Sequence, residues 1–152
     1  MSFAVMFHHF HGRLHSKSQG SISAKQFILM LNFLKKKYNL LNANKFFEKI
    51  LNKSIKKNDI CLTFDDCLKC QFDIALPILK KKNISAFFFI YSSVFDKKPN
   101  YLEIFRDFRY TKFKNVDVFY KEFFKLLEHK FKNKKKSLDE KFKKNYLAKY
   151  KF

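Results

Sequence analysis

Three features of this 152-residue sequence predict an α/β fold. Residues 60–64 form a short, uncharged and mostly apolar segment, which is typical of a buried strand in a parallel sheet. Ser23 and Gln26 form the capping-box pattern that opens a helix, and apolar residues recur at helical spacing after them. Strand and helix patterns alternate in this way as far as about residue 95, and such alternation favours a right-handed parallel arrangement.

The predicted elements follow from local signals. Lys residues at 35–37 indicate the C-terminal end of the first helix, where the helix dipole is negative. Pro77 indicates a first helical turn, and Asp117 indicates the start of a helix. In chain order we expect a strand over 3–10, a helix from 24 to 37, a short helix over 45–52, a strand ending at 64, a helix capped by Asp73 and ended by Asn83, a strand over 86–91, helices around 104–108 and 119–131, a basic turn over 130–136 and a final helix over 138–150.

The length limits how much of a barrel this chain can form. Alternating strands and helices suggest a barrel, but a complete (β/α) barrel usually needs about 200 residues or more. We therefore expect residues 1–152 to be the N-terminal part of such a domain, with a strand-helix-strand core over about 3–95 and a helical segment over about 101–150. A fragment, a split gene or an early stop would explain this length.

Two adjacent carboxylates, Asp65 and Asp66, directly follow the predicted buried strand. Ligand and catalytic residues of α/β sheets collect at the carboxyl ends of the strands. At such an end one aspartate can bind a cation while its neighbour transfers a proton. The alternative is a helix N-cap or a turn, where Asp is also common.

Residues around this pair resemble a known enzyme family. The segments are VMFHHF at 5–10, TFDD at 63–66, ALPILK at 75–80 and NISAFFFIY at 83–91. Their kind and order resemble the N-terminal portion of the polysaccharide deacetylase (NodB-homology, carbohydrate esterase) family. The resemblance implies a partial, distorted (β/α) barrel of the NodB-homology type with a helical C-terminal segment.

The resemblance also implies residue roles. Asp65 would be the catalytic base and Asp66 a ligand of a divalent metal ion. Zinc is the ion that we expect. Two His from a downstream His-x-x-x-His motif would complete the site. The substrate would be an N-acetylated sugar or polysaccharide, and amide hydrolysis would yield acetate and a free amine.

The sequence departs from the family pattern after Asp66. His129 is the only downstream His, so the His-x-x-x-His motif is missing, and Cys67 occupies a position that is often Gly. We therefore expect little activity from this chain alone, and a C-terminal half of the barrel as a possible partner. His8 and His9 end the first strand and could support the site, although ordinary strand-end His residues would look the same.

The remaining candidate ligands carry weaker signals. His11 and His15 have helical ligand spacing, but Gly12 argues against a helix there. Cys67 and Cys70 could be half of a zinc site, yet the sequence has no second pair. Together with Cys61 they are expected to be small, reduced core thiols.

The formal net charge of +20 raises the question of nucleic-acid binding. Nearly all the positive residues are Lys. Only Arg13, Arg106 and Arg109 could form bidentate hydrogen bonds with phosphates and bases. We therefore expect solvated lysines and no specific nucleic-acid site. A Lys-rich nucleic-acid binder and a non-catalytic interaction protein, or half-barrel, stay as alternatives.

We expect no membrane span, and the lack of a leader signal suggests a cytoplasmic protein.

Overall fold

The structure, a computed structural model, describes residues 3–18 and 20–131. The chain divides into two compact units, Met1–Lys98 and Pro99–Phe152. The elements of the first unit are β1 (Phe3–Phe7), β2 (Phe10–His11), β3 (Ile22–Ser23), α1 (Ala24–Lys37), β4 (Asn39–Leu40), α2 (Ala43–Leu51), β5 (Asp59–Phe64), α3 (Leu76–Lys81) and β6 (Phe87–Phe88).

Strand β5 lies at the centre of a four-stranded parallel sheet. One edge of β5 pairs with β1 along residues 60–64. The other edge pairs with β4 near its start and with β6 near its end. All six residues of β5 are buried. The prediction of a buried parallel strand in an α/β fold is confirmed, whereas closure into a barrel stays a prediction.

The main core covers the face of the sheet that β5 lines with Ile60, Leu62 and Phe64. Helices α1 and α3 pack there, and the members they contribute include Phe27 and Leu79, both almost fully buried. Aromatic rings from β1, β2, α1 and β5 contact one another in this core, at centroid distances of 5.0–6.2 Å. This packing fixes β1 against β5.

A smaller cluster lies on the opposite face, near the start of β5. Cys61 packs there against Leu41 and Phe46, with Ile55 and Phe87 beside them. Helix α2 carries Phe46 to this face. Toward the carboxyl end of the strands the same face is open, and Met6 is 56% exposed.

Helix α1 begins as the sequence predicts. The Ser23 hydroxyl accepts a hydrogen bond from the Gln26 backbone N–H, and the Gln26 side chain accepts one from the Ser23 backbone N–H. This capping box satisfies N–H groups that a helix start leaves without partners. The last turn carries Lys35, Lys36 and Lys37, which favour the negative end of the helix dipole.

Several predicted boundaries were wrong. The first strand stops at Phe7 and the chain resumes as β2 at Phe10, while the predicted strand over 86–91 is only two residues long, Phe87–Phe88. Asp73 does not cap a helix, because helical backbone begins at residue 69 and passes through a π-helical turn, Gln71–Ala75, into α3. Pro77 follows that turn, in the first turn of α3.

The second unit contains α4 (Tyr101–Lys112) and α5 (Val116–Phe131). Asn100 caps α4 through the Glu103 N–H, and the Asn115 side chain accepts from the Val118 N–H at 2.9 Å. Asn115 therefore caps α5, and the prediction of Asp117 as the cap was wrong.

The predicted final helix over 138–150 and most of the basic run over 130–136 lie outside the described residues. Within the part of the chain that the structure describes, every helix is too short or too polar to cross a bilayer.

A buried ion pair holds the start of β5. Asp59 is 1% exposed, and its carboxylate accepts from Lys49 Nζ at 2.6 Å, from Asn39 Nδ2 at 2.6 Å and from the Lys56 backbone N–H at 2.9 Å. The Lys49 hydrogen bond, followed by those of Lys56 and Asn39, lowers the pKa of Asp59 to about 2 against the opposing effect of burial. The ionised carboxylate thus ties β4 and α2 to the central strand.

We predict that Asp59→Asn lowers the free energy of unfolding at pH 7 by about 2 kcal/mol, measured by urea denaturation. A lowered folded-state pKa means that this stability is present above the ordinary pKa of 3.8 and is lost as pH falls toward 2. The difference in free energy of unfolding between the wild type and Asp59→Asn should therefore disappear in acid. Asp96→Asn is the control, because its pair with Lys98 is exposed and 3.7 Å long. Equal stability of the wild type and Asp59→Asn at pH 7 would contradict this assignment.

Candidate functional site

The carboxyl ends of β1 and β5 bring two predicted site segments together. The strands are parallel and in register from Phe3 and Ile60 to Phe7 and Phe64. His8 therefore follows one strand beside the point where Asp65 follows the other. The backbone N–H of Asp65 donates to the Phe7 carbonyl at 3.3 Å, which extends the pairing by one residue.

The chain leaves β5 through a turn with left-handed backbone. Asp66 has φ 71° and Cys67 has φ 50°. Non-glycine residues adopt this region at a cost of roughly 1–2 kcal/mol each, although Asp tolerates it better than most. The turn places the carboxylate of Asp66 next to β1, with Asp66 Oδ2 at 3.3 Å from His8 Nδ1. Both side chains are part-exposed and therefore open to solvent.

The carboxylates border an open cleft with a volume of about 590 Å³. Its lining consists of Thr63, Asp65 and Asp66, the β1 residues Ala4 and Met6, and the segment Phe89, Ile90 and Tyr91. The backbone N–H of Phe89 donates to the Phe64 carbonyl at 2.8 Å, so the aromatic wall is tied to the end of β5. A mostly apolar lining with a few polar groups is typical of small-molecule sites.

Gln71 connects the two strand ends, and the sequence analysis did not identify it. Its side chain is buried, and Nε2 donates to the His8 carbonyl at 2.8 Å and to the Asp65 carbonyl at 2.6 Å. Its Oε1 accepts from the Leu68 N–H at 3.3 Å. No pattern in a single sequence marks a buried Gln, because the residue is ordinarily exposed.

The remaining His residues lie in different surroundings. His9 stacks on His8 with ring centroids 6.1 Å apart and lines a separate depression with Met6 and Met30. His11 Nδ1 lies 2.9 Å from the Ser21 hydroxyl. His129 lies in the second unit and is exposed. The structure thus brings His8 to Asp66 and leaves the predicted role of His9 untested.

His15 contacts a different cluster, formed by Lys69 and Asp73 on the helical segment after the turn. Its Nε2 lies 2.8 Å from Asp73 Oδ2, and Lys69 Nζ contacts the same carboxylate at 2.7 Å. The Lys69 hydrogen bond and then that of His15 lower the pKa of Asp73. Asp73 is therefore an anchor for the loop that carries His15.

Comparison with known proteins identifies the family. The polysaccharide deacetylase family model matches residues 52–147, which is more than half of the chain and includes the Asp65-Asp66 turn. The chain belongs to the polysaccharide deacetylase family. No curated protein matches the chain sequence.

Solved structures of the same kind share the fold. A de-N-acetylase from Aggregatibacter actinomycetemcomitans is 24% identical, with a TM-score of 0.51, over 65% of this chain and 40% of that one. IcaB from Ammonifex degensii is 21% identical, with a TM-score of 0.50, over 59% of this chain and 37% of that one. The chain therefore spans about two-fifths of the length of these two structures.

Members of the deacetylase family are generally metal-dependent, so the donor set of this site matters. Asp66 and His8 are two suitable donors, whereas a catalytic zinc usually has three protein ligands. Among residues 3–18 and 20–131, no three His, Cys, Asp or Glu side chains come together in a group that could hold a metal ion. The described residues therefore do not complete the metal site of the family.

The cysteines divide into two kinds. Cys61 and Cys70 are buried, as expected of core thiols, and burial raises the pKa of the Cys61 thiol. Cys70 Sγ accepts a hydrogen bond from the Phe10 N–H at 3.4 Å. Cys67 is exposed, so the expectation of a core thiol was wrong there. It protrudes because it lies at the bend of the turn.

We predict that Cys67→Gly raises the free energy of unfolding by about 0.5–1 kcal/mol, because glycine adopts a positive φ without steric cost. Chemical denaturation under reducing conditions would measure the change. Cys67→Ala is the matched control, since it removes the thiol but keeps the Cβ that opposes φ 50°. The prediction fails if the Gly variant is no more stable than the Ala variant.

Proposed function

We propose that this chain carries the catalytic base and the first metal-ligating carboxylate of an enzyme that hydrolyses the N-acetyl groups of sugars. The observation that supports the proposal best is the position of Asp65 and Asp66. The pair lies at the carboxyl end of the central parallel strand, on the border of an open cleft, within the region that matches the deacetylase family.

Asp65 is the residue we propose as the base. Its carboxylate borders the cleft. It can therefore accept a proton from a water molecule as that water attacks the acetamide carbonyl carbon. The C–O bond forms and the C–N bond breaks. The proton removed from water balances the proton that the departing amine gains, so the products are acetate and an amino sugar.

Asp66 is proposed as the metal ligand, with His8 and His9 in supporting roles. His8 contacts Asp66 Oδ2, and such a contact can orient a carboxylate that must present its other oxygen to a cation. His9 stacks beside His8, with ring centroids 6.1 Å apart. A divalent ion, with zinc as first choice, would supply Lewis-acid polarisation of the carbonyl in a complete family site.

The chain alone should have little activity. Asp66 is the one ligand proposed here, whereas a catalytic zinc usually has three protein ligands, and His129 is the only His of the sequence after Asp66. We propose that a His-x-x-x-His segment supplied by a second polypeptide would complete the site that Asp65 and Asp66 begin.

The open face of the sheet favours a second candidate function, that of a half-barrel whose role is interaction. Met6, Phe89 and Ile90 are each more than half exposed on or beside this face. Apolar side chains exposed side by side can form a surface for protein–protein contact. We predict that the chain self-associates or binds a complementing half, and that Met6→Lys reduces this association. Size-exclusion chromatography of the wild type as a compact monomer at high concentration would count against this candidate.

Acetate release from N-acetylated glucosamine oligomers, assayed with added zinc, tests the enzymatic proposal. The chain alone should release almost none. With a complementing His-x-x-x-His polypeptide, we predict zinc-dependent release that Asp65→Asn lowers by about 100-fold or more. Asp96→Asn, an exposed carboxylate outside the cleft, is the control. A complemented Asp65→Asn protein as active as the wild type would refute the role of Asp65. Zinc-dependent turnover by the chain alone would refute its inactivity.

A further inference from the structure

We infer that Gln71 is the positioning residue of the carboxylate pair, holding the Asp65-Asp66 turn in the geometry that the site needs. The inference rests on the proposed function only in taking that pair as the chemical centre. The three contacts of the Gln71 side chain themselves belong to the structure.

The amide of Gln71 uses all its functional groups on the site. Nε2 carries two N–H groups, and it contacts two carbonyls, those of His8 and Asp65. Oε1 accepts from the backbone N–H of Leu68. The side chain is 1% exposed, so water cannot replace these partners. A buried polar group that lost them would cost about 1–3 kcal/mol.

These contacts fix both ends of the turn. Asp65 precedes the left-handed residues Asp66 and Cys67, and Leu68 follows them. One side chain thus binds the backbone on each side of Asp66, and its third contact joins the turn to the end of β1 at His8. The His8–Asp66 distance of 3.3 Å therefore depends on the same amide.

The local backbone explains how a helical residue reaches this position. Gln71 is the first residue of the π-helical turn, and its own N–H donates to the Leu68 carbonyl at 2.9 Å. Single π-turns inside helices frequently occur at functional sites. Cys70 and Ala75, which flank Gln71 in this segment, are buried in the main core, so the position of the backbone is set by packing.

No other side chain has this combination of groups at this length. Glu retains the acceptor for Leu68 but places its other carboxylate oxygen against two carbonyls. Met retains the volume but removes all three hydrogen bonds, and Asn is one methylene shorter. The Glu and Met substitutions therefore separate the contacts to the strand ends from the contact to Leu68.

Amide hydrogen exchange and backbone NMR shifts test the inference in the full chain. We expect Gln71→Met to lower the exchange protection of the Leu68 amide by about tenfold and to shift the backbone signals of His8 and Asp66. Gln71→Glu should shift His8 and Asp66 as well but preserve more of the protection at Leu68. The Leu62 amide at the centre of β5 reports global opening in each protein.

Leu34→Ala is the control for a merely structural effect, because Leu34 is a buried residue of α1 outside this turn. It should lower protection at Leu62 and Leu68 together and leave the signals of His8 and Asp66 in place. Gln71→Met behaving in the same way as Leu34→Ala would overturn the inference.

The outcome is independent of the enzymatic proposal. Altered His8 and Asp66 signals without acetate release from the complemented wild type would retain the positioning role and reject the proposed function. Unchanged His8 and Asp66 signals in Gln71→Met would reject the positioning role, whatever the activity of the wild type.

Discussion

The pairing of β5 on both edges is the constraint on which the rest of the first unit depends. A strand buried on both faces must satisfy its backbone groups within the sheet, and β5 does so through β1 on one side and through β4 and β6 on the other. Parallel pairing places the carboxyl ends of β1 and β5 together. The proximity of His8 to the aspartates is therefore a consequence of topology, and the apolar core beneath the strands fixes the register.

The aspartates at the two ends of β5 differ in burial. At the start, Asp59 is buried and ionised, and three hydrogen bonds compensate for its desolvation. At the end, Asp66 stays part-exposed and is carried by a turn with unfavourable backbone angles. Backbone strain of this kind persists where surrounding contacts over-determine the conformation, and it often accompanies function. The buried amide of Gln71 supplies such contacts here.

Local patterns in the sequence predicted much of this arrangement. The uncharged run before Asp65 identified the central strand, and the capping box identified the start of α1, because both signals lie within a few neighbouring residues. The contacts of Asp73 and Gln71 could not be predicted in this way. Asp73 bonds to His15 and Gln71 bonds to His8, more than 50 positions away in each case, and such pairings depend on tertiary packing. The resemblance to deacetylases suggested Asp65 and Asp66, but the turn that orients them became visible only in the structure.

We propose that a divalent cation binds the carboxylate pair at the end of β5. Substoichiometric Mn²⁺ added to the ¹⁵N-labelled chain tests it most directly, because this ion prefers carboxylate oxygen to thiolate and broadens nearby amide signals. The account predicts broadening centred on Asp65, Asp66 and His8 that disappears in Asp66→Asn. Broadening centred instead on Asp73 and His15, and unaffected by Asp66→Asn, would contradict it.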